Sequence, residues 1–280
     1  MNKLENKIDF VAFVSVTNAN PNGDPLCGGR PRTDTYGYGE MSTVCIKRKI
    51  RNRMQDLGNC IFVQSDDRIN DNYSDLGKRA DCLSKIKNED EFTKTACETW
   101  MDVRTFGQVF AFKGFGLSSV GVKGPVSIHQ AVSVDPVETC DMQITKSTSN
   151  EKSAKGTRGS DTMGTKSFVR FGLYKIKGAI NTQLAEKPGF SAEDADTLKE
   201  CLRTLFVNDA SEARPDGSME IVKIFWWKHN CKDGQYSSAK VHRSVKADLR
   251  EGITNPTSAD DYEITVEKLD GLEAEIIDGI

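Results

Sequence analysis

Residues 8–17 read Ile8-Asp-Phe-Val-Ala-Phe-Val-Ser-Val-Thr17, a run dominated by apolar side chains. Successive side chains of an extended chain point to opposite faces, so Ile8, Phe10 and Val14 share one face. The other face carries Val11 and Phe13 and is also partly apolar. This pattern predicts a central strand of a sheet, buried on one face and partly on the other.

Turn-forming residues dominate the segment after this strand. It begins with Asn18-Ala-Asn-Pro-Asn-Gly-Asp-Pro25 and continues through Cys27-Gly-Gly-Arg-Pro-Arg32 to Tyr36-Gly-Tyr-Gly39. Glycine, proline and asparagine at this density interrupt helices and strands. We therefore predict a long connecting loop.

An amphipathic helix is predicted next. Ser42 or Thr43 can cap its start, and Gly58 can end it after Leu57. Its apolar residues recur at helical spacing on one face, namely Ile46, Ile50, Met54 and Leu57.

The other faces of this helix carry bases and no acid, namely Lys47, Arg48, Lys49, Arg51 and Arg53. Like charges on a helix repel by roughly a few tenths of a kcal/mol per pair. A bound phosphate backbone would reverse that cost. The helix is therefore predicted to contact nucleic acid, chiefly through Lys47, Arg48 and Arg51.

The remaining chain alternates helix-like and strand-like segments. Residues 59–100 read as a helical insertion, with a capped helix from Asn88 to Trp100, and residues 191–207 form the clearest helix. Strands are predicted at residues 103–112, 126–134, 167–180, 219–228, 239–245 and 262–269, with an exposed hairpin or loop at 141–164. This order predicts an α+β sheet of the RNA-recognition or ferredoxin-like type.

Charge is unevenly distributed along the 280 residues. The net charge is −3, but residues 251–280 hold nine acids and one base, so residues 1–250 carry +5. A mildly basic body favours a polyanionic partner, while the acidic end argues against indiscriminate binding by the whole surface. No run approaches the ~18 apolar residues of a membrane span, and the N-terminus lacks a signal-like stretch. We expect a cytoplasmic protein with no membrane partner.

No cofactor, metal or catalytic site is predicted. The eight cysteines contain no C-x-x-C pair and are expected to be reduced and mostly buried. The segment from Gly116 to Gly124 differs from a nucleotide-binding loop because Lys123 comes one residue late and Gly124 replaces the hydroxyl residue. Lys123 and nearby backbone N–H groups are instead either a phosphate contact or part of a plain turn.

Five ordered blocks of sequence resemble the backbone subunit of the type I-C Cascade, a CRISPR surveillance complex. The blocks are Asn20-Pro-Asn-Gly-Asp-Pro25, Val44-Cys-Ile-Lys-Arg-Lys-Ile-Arg-Asn52, Asp102-Val-Arg-Thr-Phe-Gly107, Gly124-Pro-Val-Ser-Ile-His-Gln-Ala-Val-Ser-Val-Asp-Pro136 and Thr162-Met-Gly-Thr-Lys-Ser-Phe-Val-Arg-Phe-Gly-Leu-Tyr174. The resemblance extends over nearly the whole chain, and related subtypes of the same family are the main alternative.

The resemblance implies an RNA-recognition-like palm (1–58, 102–136 and 165–280), a helical fingers insertion (59–101) and a thumb hairpin (137–164). It implies copies stacked head to tail along a guide RNA, with the thumb displacing a nucleotide at intervals so that the segments between can pair with target DNA. The implied partners also include the large, small and RNA-end-capping subunits of Cascade.

Residues in four regions are therefore candidates for RNA contact. They are Asn20, Asn22, Gly23, Arg30 and Arg32 in the loop, Lys47, Arg48 and Arg51 on the helix, Lys123, and Gln143, Ile144, Lys146, Met163 and Lys166 in or beside the thumb.

Three other functions remain open from sequence. A type III-like backbone subunit would cleave target RNA with Asp24 or Asp34, which follow the first strand. A guide-processing endonuclease of the same superfamily would need a base such as His129. A simple interaction scaffold would bind no RNA.

Overall fold

The computed structural model describes residues 2–145 and 163–280. Its centre is an eight-stranded sheet whose paired strands are all antiparallel. The middle strand, β1 (Ile8–Ala19), lies between β10 (Met163–Ile180) and β11 (Met219–Lys228). The predicted central strand is confirmed, and Phe10, Val11 and Phe13 show that it is fully buried on both faces.

Five more strands complete this sheet: β4 (Tyr38–Met41), β7 (Val126–Ile128), β8 (Ala131–Pro136), β9 (Thr139–Thr145) and β14 (Glu275–Asp278). Their order is β14-β11-β1-β10-β8-β4, and β7 and β9 pair with other parts of β10. The short strands form three separate pairs: β2 (Gly23–Asp24) with β3 (Arg30–Pro31), β5 (Gly107–Phe110) with β6 (Val120–Lys123), and β12 (Val245–Leu249) with β13 (Tyr262–Val266).

Seven α-helices lie in the described residues: α1 (Thr43–Asp56), α2 (Leu76–Arg79), α3 (Glu89–Thr99), α4 (Met101–Phe106), α5 (Thr182–Ala185), α6 (Ala192–Arg203) and α7 (Ser238–Arg243). The three capped helices predicted from sequence, α1, α3 and α6, are confirmed. Ser42, Asn88 and Ser191 each accept a hydrogen bond from a first-turn backbone N–H. These helices are long enough for both their caps and their apolar stripes to show in the sequence.

The two faces of the sheet bury separate cores. One face packs against α1 and α6 through Ile50 and Leu198. The opposite face, which carries Val11 and Phe13, is covered by α7, β12 and β13. A third cluster belongs to the insertion and is built on aromatic rings, with Phe62 4.7 Å from Trp100 and 5.0 Å from Phe110 between ring centroids.

Several local predictions were wrong. Residues 103–112 form the end of α4 and then β5, and residues 239–245 belong mostly to α7, which Ser237 caps by accepting from the Lys240 N–H. Both helices are six residues long, too short for helical periodicity to stand out from alternation. The strand predicted at 126–134 is divided between β7 and β8. Among the cysteines, only Cys97 and Cys201 are buried. No helix within 2–145 and 163–280 has the length and apolarity needed to cross a bilayer.

A fully buried carboxylate lies near the start of β1. Asp9 Oδ2 accepts from His229 Nε2 (2.8 Å) and lies 3.0 Å from Lys7 Nζ. Burial alone would raise the pKa of Asp9, but hydrogen bonds from His229, Ser238 and Lys7 outweigh it and leave this pKa below its usual value. His242, 3.9 Å from the other Asp9 oxygen, has a pKa lowered mainly by burial.

These shifts predict that acid destabilises the fold. Because the pKa of His242 is lower in the folded chain, the unfolded chain takes up a proton more readily as pH falls below the ordinary value of 6.5. Asp9 acts in the same direction below its ordinary value of 3.8. Urea unfolding measured from pH 7 to pH 5 should show a falling free energy of unfolding, with a shallower fall for His242→Gln. An equally steep fall in the variant would contradict this assignment.

Candidate nucleic-acid interface

The loop after β1 is anchored to the N-terminus of α1. The backbone N–H of Ser42 donates to Asn22 Oδ1 (2.8 Å), and Ser42 in turn caps the helix by accepting from the Cys45 N–H (3.2 Å). No acidic residue lies in the first turn of α1. This helix end therefore retains the partial positive charge of its free N–H groups beside the loop.

The same loop folds back on itself as the β2–β3 pair. Asn20 is 8% exposed and donates from Nδ2 to the Gly29 carbonyl (2.7 Å), while its Oδ1 has no hydrogen-bond partner in the described parts of the chain. A Cβ at Gly23 would lie 2.8 Å from the Gly29 oxygen, so this close approach requires glycine. Asn20, Asn22 and Gly23 thus shape the loop.

Two arginines of the loop form ion pairs. Arg30 Nη2 lies 3.1 Å from Asp141 on β9, which connects the loop to the base of the β9–β10 ribbon. Arg32 Nη2 lies 3.4 Å from Asp24. Both arginines keep part of their surface exposed, so these pairs leave them able to contact a second anion.

The bases of α1 are less free than the sequence pattern indicated. Lys49 is buried in an ion pair with Asp209, Arg51 Nε lies 2.9 Å from the buried Asp102, and Arg53 Nε donates to Thr204 Oγ1 (2.7 Å). The interpretation of an uncompensated basic helix was therefore wrong. The compensating acids come from elements distant in sequence.

Lys47 and Arg48 are half-buried and form no ion pair with any carboxylate in 2–145 or 163–280. Lys47 Nζ lies 5.2 Å from the centre of the Phe106 ring, and burial, reinforced by Arg51, lowers its pKa. Arg48 donates from Nε to Asn52 (2.9 Å), and its Nη2 is buried without a partner among described residues. Burial first, and then Arg51, lowers the pKa of Arg48 to about 10. A phosphate would restore favourable interactions to both cations.

The β9–β10 ribbon extends beyond the sheet with an exposed surface. Gln143 Nε2 lies 3.4 Å from Met163 Sδ, Ile144 is 44% exposed and Met163 is 64% exposed. Lys166, near the base of the ribbon, is 3.2 Å from Glu212. Lys146 lies outside the described residues.

Lys123 occupies a strand rather than a loop. It is exposed on β6 and pairs in register with Gly107, which directly follows Phe106. The structure thus links the loop, α1 and the ribbon through direct contacts, and Lys123 borders the α1 end of this group.

The acids and the histidine considered for catalysis have structural contacts. Asp24 Oδ1 caps a short turn by accepting from the Leu26 N–H (3.0 Å), and Asp34 Oδ1 accepts from the Tyr36 and Tyr38 N–H groups (2.8 and 2.9 Å). His129 is exposed, with its ring 5.8 Å from that of His242. No cluster of three or more potential metal ligands occurs within residues 2–145 and 163–280.

The architecture defines a mixed α/β protein built on a large antiparallel sheet, with a basic helix and an extended ribbon joined at a turn-rich loop. The chain belongs to the family described as CRISPR-associated protein Cas7, whose model matches residues 6–267.

One curated relative and two solved structures resemble the chain. The CRISPR-associated protein Cas7 of Haloferax volcanii is 24% identical over 221 residues, which cover 71% of this chain and 64% of the relative's length. A chain of a structure titled "CRISPR RNA-guided surveillance complex, pre-nicking" is similar over 89% of this chain and 84% of that chain, with a TM-score of 0.53 and 17% identity. A chain of a "CRISPR RNA-guided surveillance complex" covers 89% and 78%, with a TM-score of 0.49 and 19% identity.

Proposed function

We propose that this protein is the repeated, non-catalytic subunit of a type I-C CRISPR surveillance complex that binds the guide RNA by its backbone. The observation that supports this most strongly is the continuous surface made by the loop after β1, the N-terminus of α1 and the β9–β10 ribbon. Membership of the Cas7 family and the titles of the similar structures agree with this role.

This surface suits recognition of phosphate and shape. It offers backbone N–H groups at a helix start, two partly exposed loop arginines, and the half-buried Lys47 and Arg48. Such groups fix the position of a strand without identifying its bases. In a guided complex, base pairing supplies the sequence specificity, so the protein needs only backbone contacts.

In this proposal, the sheet is an RNA-recognition-like palm, residues 59–101 are the fingers and residues 137–164 are the thumb. Gln143, Ile144 and Met163 on the exposed ribbon, together with Lys146, contact the displaced part of the guide. Copies stack head to tail, which is a heterologous arrangement that extends along the RNA. The large, small and RNA-end-capping subunits complete a cytoplasmic complex that pairs with target DNA.

Co-purification tests this function. We expect the full chain, co-expressed with a type I-C CRISPR array and the other Cascade subunits, to be isolated with an absorbance ratio at 260 to 280 nm characteristic of a ribonucleoprotein. Omitting the array is the control and should lower the ratio. A nucleic-acid-free assembly in the presence of the array would favour the simple scaffold.

A further inference from the structure

A second group of basic side chains lies on the sheet face that carries Val11 and Phe13. Lys175 and Lys177 are half-buried on β10, and His129, exposed beside β7, donates its backbone N–H to the Lys177 carbonyl (2.8 Å). Lys175 Nζ donates to the carbonyls of His242 (3.0 Å) and Val245 (2.5 Å). The residues that follow those two carbonyls are the exposed Arg243 and Lys246. We call these five side chains the lysine corner: His129, Lys175, Lys177, Arg243 and Lys246.

The lysine corner lacks its own counter-charge. None of its lysines or arginines forms an ion pair with a carboxylate within residues 2–145 and 163–280. The nearby Asp9 is fully buried and is occupied by Lys7 and His229. Burial, reinforced by repulsion from Lys177, lowers the pKa of Lys175 to about 8. The fold therefore holds adjacent cations together in a partly desolvated place, a cost that an anion would relieve.

The lysine corner lies on the opposite side of the sheet from α1. The α1 side chains Ile46 and Ile50 pack in the core on one face, whereas Lys175 Nζ lies 5.9 Å from the ring centre of Phe13 in the core on the other. A strand bound along α1 would not reach the lysine corner without passing round the sheet. A ligand of the lysine corner is therefore separate from the guide-RNA surface.

We propose that the lysine corner binds the phosphodiester backbone of a second nucleic-acid strand. Lys175 and Lys177 are two residues apart on one face of a strand, a separation of about 6.6 Å between Cα atoms. Arg243 and Lys246 extend the positive surface along the end of α7. A linear polyanion neutralises several of these charges at once and releases counterions, which favours it over the dispersed carboxylates of a protein surface.

The test uses the guide-RNA-loaded complex, so it rests on the proposed function. Binding of a fluorescent single-stranded DNA with no complementarity to the guide is measured by anisotropy over a range of salt. The variant is Lys177→Ser with His129→Ser. Arg243→Ser with Lys246→Ser, at exposed positions, is a second variant in case the first does not fold. The matched control is Lys85→Ser with Lys87→Ser in the insertion, also at exposed positions.

Both lysine-corner variants should weaken DNA binding and lower the slope of log affinity against log salt by about 0.7 for each phosphate contact removed. RNA loading, measured beforehand by absorbance, should stay at the wild-type level, as should binding in the control. An RNA probe of the same sequence distinguishes the sugar of the second strand, and binding of either probe supports the site. Unchanged binding in both folded lysine-corner variants would overturn the proposal. Displacement of the probe by polyglutamate at equal charge concentration would also overturn it and assign the lysine corner to an acidic protein.

If no guide RNA loads, the proposed function fails, and the lysine corner can still be tested separately. The same titration is then made on the free full chain carrying Lys47→Ala and Arg48→Ala. Loss of DNA binding on adding the lysine-corner changes would still support the second site, and unchanged binding would refute it.

A pH series supplies an independent readout. Affinity for DNA should fall as pH rises through about 8, because Lys175 loses its charge, and Lys175→Arg should bind with little dependence on pH between 7 and 9. The charged or titratable groups on the surrounding elements are Lys177, His129, His242, Asp9, Lys246 and Asp248. A pH-independent wild type would contradict the role of Lys175.

Discussion

Replacing Lys47 and Arg48 together with alanine is expected to leave the protein folded but greatly weaken its retention of guide RNA. Both side chains are half-buried beside α1, and neither forms an ion pair with a carboxylate in the described chain. Each removed phosphate contact should lower the salt slope by about 0.7 for single-stranded nucleic acid, or about 1.4 for the pair. RNA content after washing at stepped salt concentrations measures the effect.

The structure favours this double variant over one that also removes Arg51, because Arg51 compensates the buried Asp102. A matched control is Lys228→Ala with Lys268→Ala, which removes the same charge from exposed positions at the end of β11 and in the acidic segment. The control should retain RNA like the wild type. Equal RNA loss in both variants would indicate a net-charge effect and contradict a local role for α1.

Replacing Asp102 with alanine is expected to destabilise the fold by about 3–5 kcal/mol, the range seen when one partner of a buried ion pair is removed. Asp102 is 1% exposed and accepts from Arg51 Nε (2.9 Å) and from the Phe62 and Val63 N–H groups (2.7 and 3.1 Å). The substitution leaves all three donors without this acceptor and disconnects α1 from the insertion. Chemical denaturation measures the loss.

The control for this change is Glu138→Ala. Glu138 pairs with Arg170 at a similar distance, 3.0 Å, but both side chains are more than 60% exposed. Exposed ion pairs add little to stability, so this variant should unfold at the same denaturant concentration as the wild type. If Asp102→Ala also unfolds there, the buried pair does not hold α1 in place.

Much of the fold can be predicted from sequence where local pattern and tertiary packing agree. The alternation in β1 and the caps and stripes of α1, α3 and α6 each identified an element that the structure confirms. The short α4 and α7 were missed because each spans less than two helical turns, and its packing rather than its periodicity determines its structure.

The state of the basic helix could not be predicted from sequence. Arg51 meets Asp102, and Lys49 meets Asp209, across separations of 51 and 160 residues. The lysine corner was missed for a related reason. Lys175 and Lys177 fit an ordinary alternating strand, and only the approach of β7 and α7 brings His129, Arg243 and Lys246 beside them. In contrast, the turn residues after β1 indicated a functional loop because their composition excluded regular structure.

The most direct measurement is zero-length photo-crosslinking of the guide-loaded complex, followed by identification of the peptides joined to guide RNA. The account predicts crosslinks within residues 20–32, 43–53 and 139–166, and fewer in the first two segments when Lys47 and Arg48 are alanine. Guide RNA crosslinked mainly to residues 173–180 or 238–249, on the opposite face of the sheet, would contradict it.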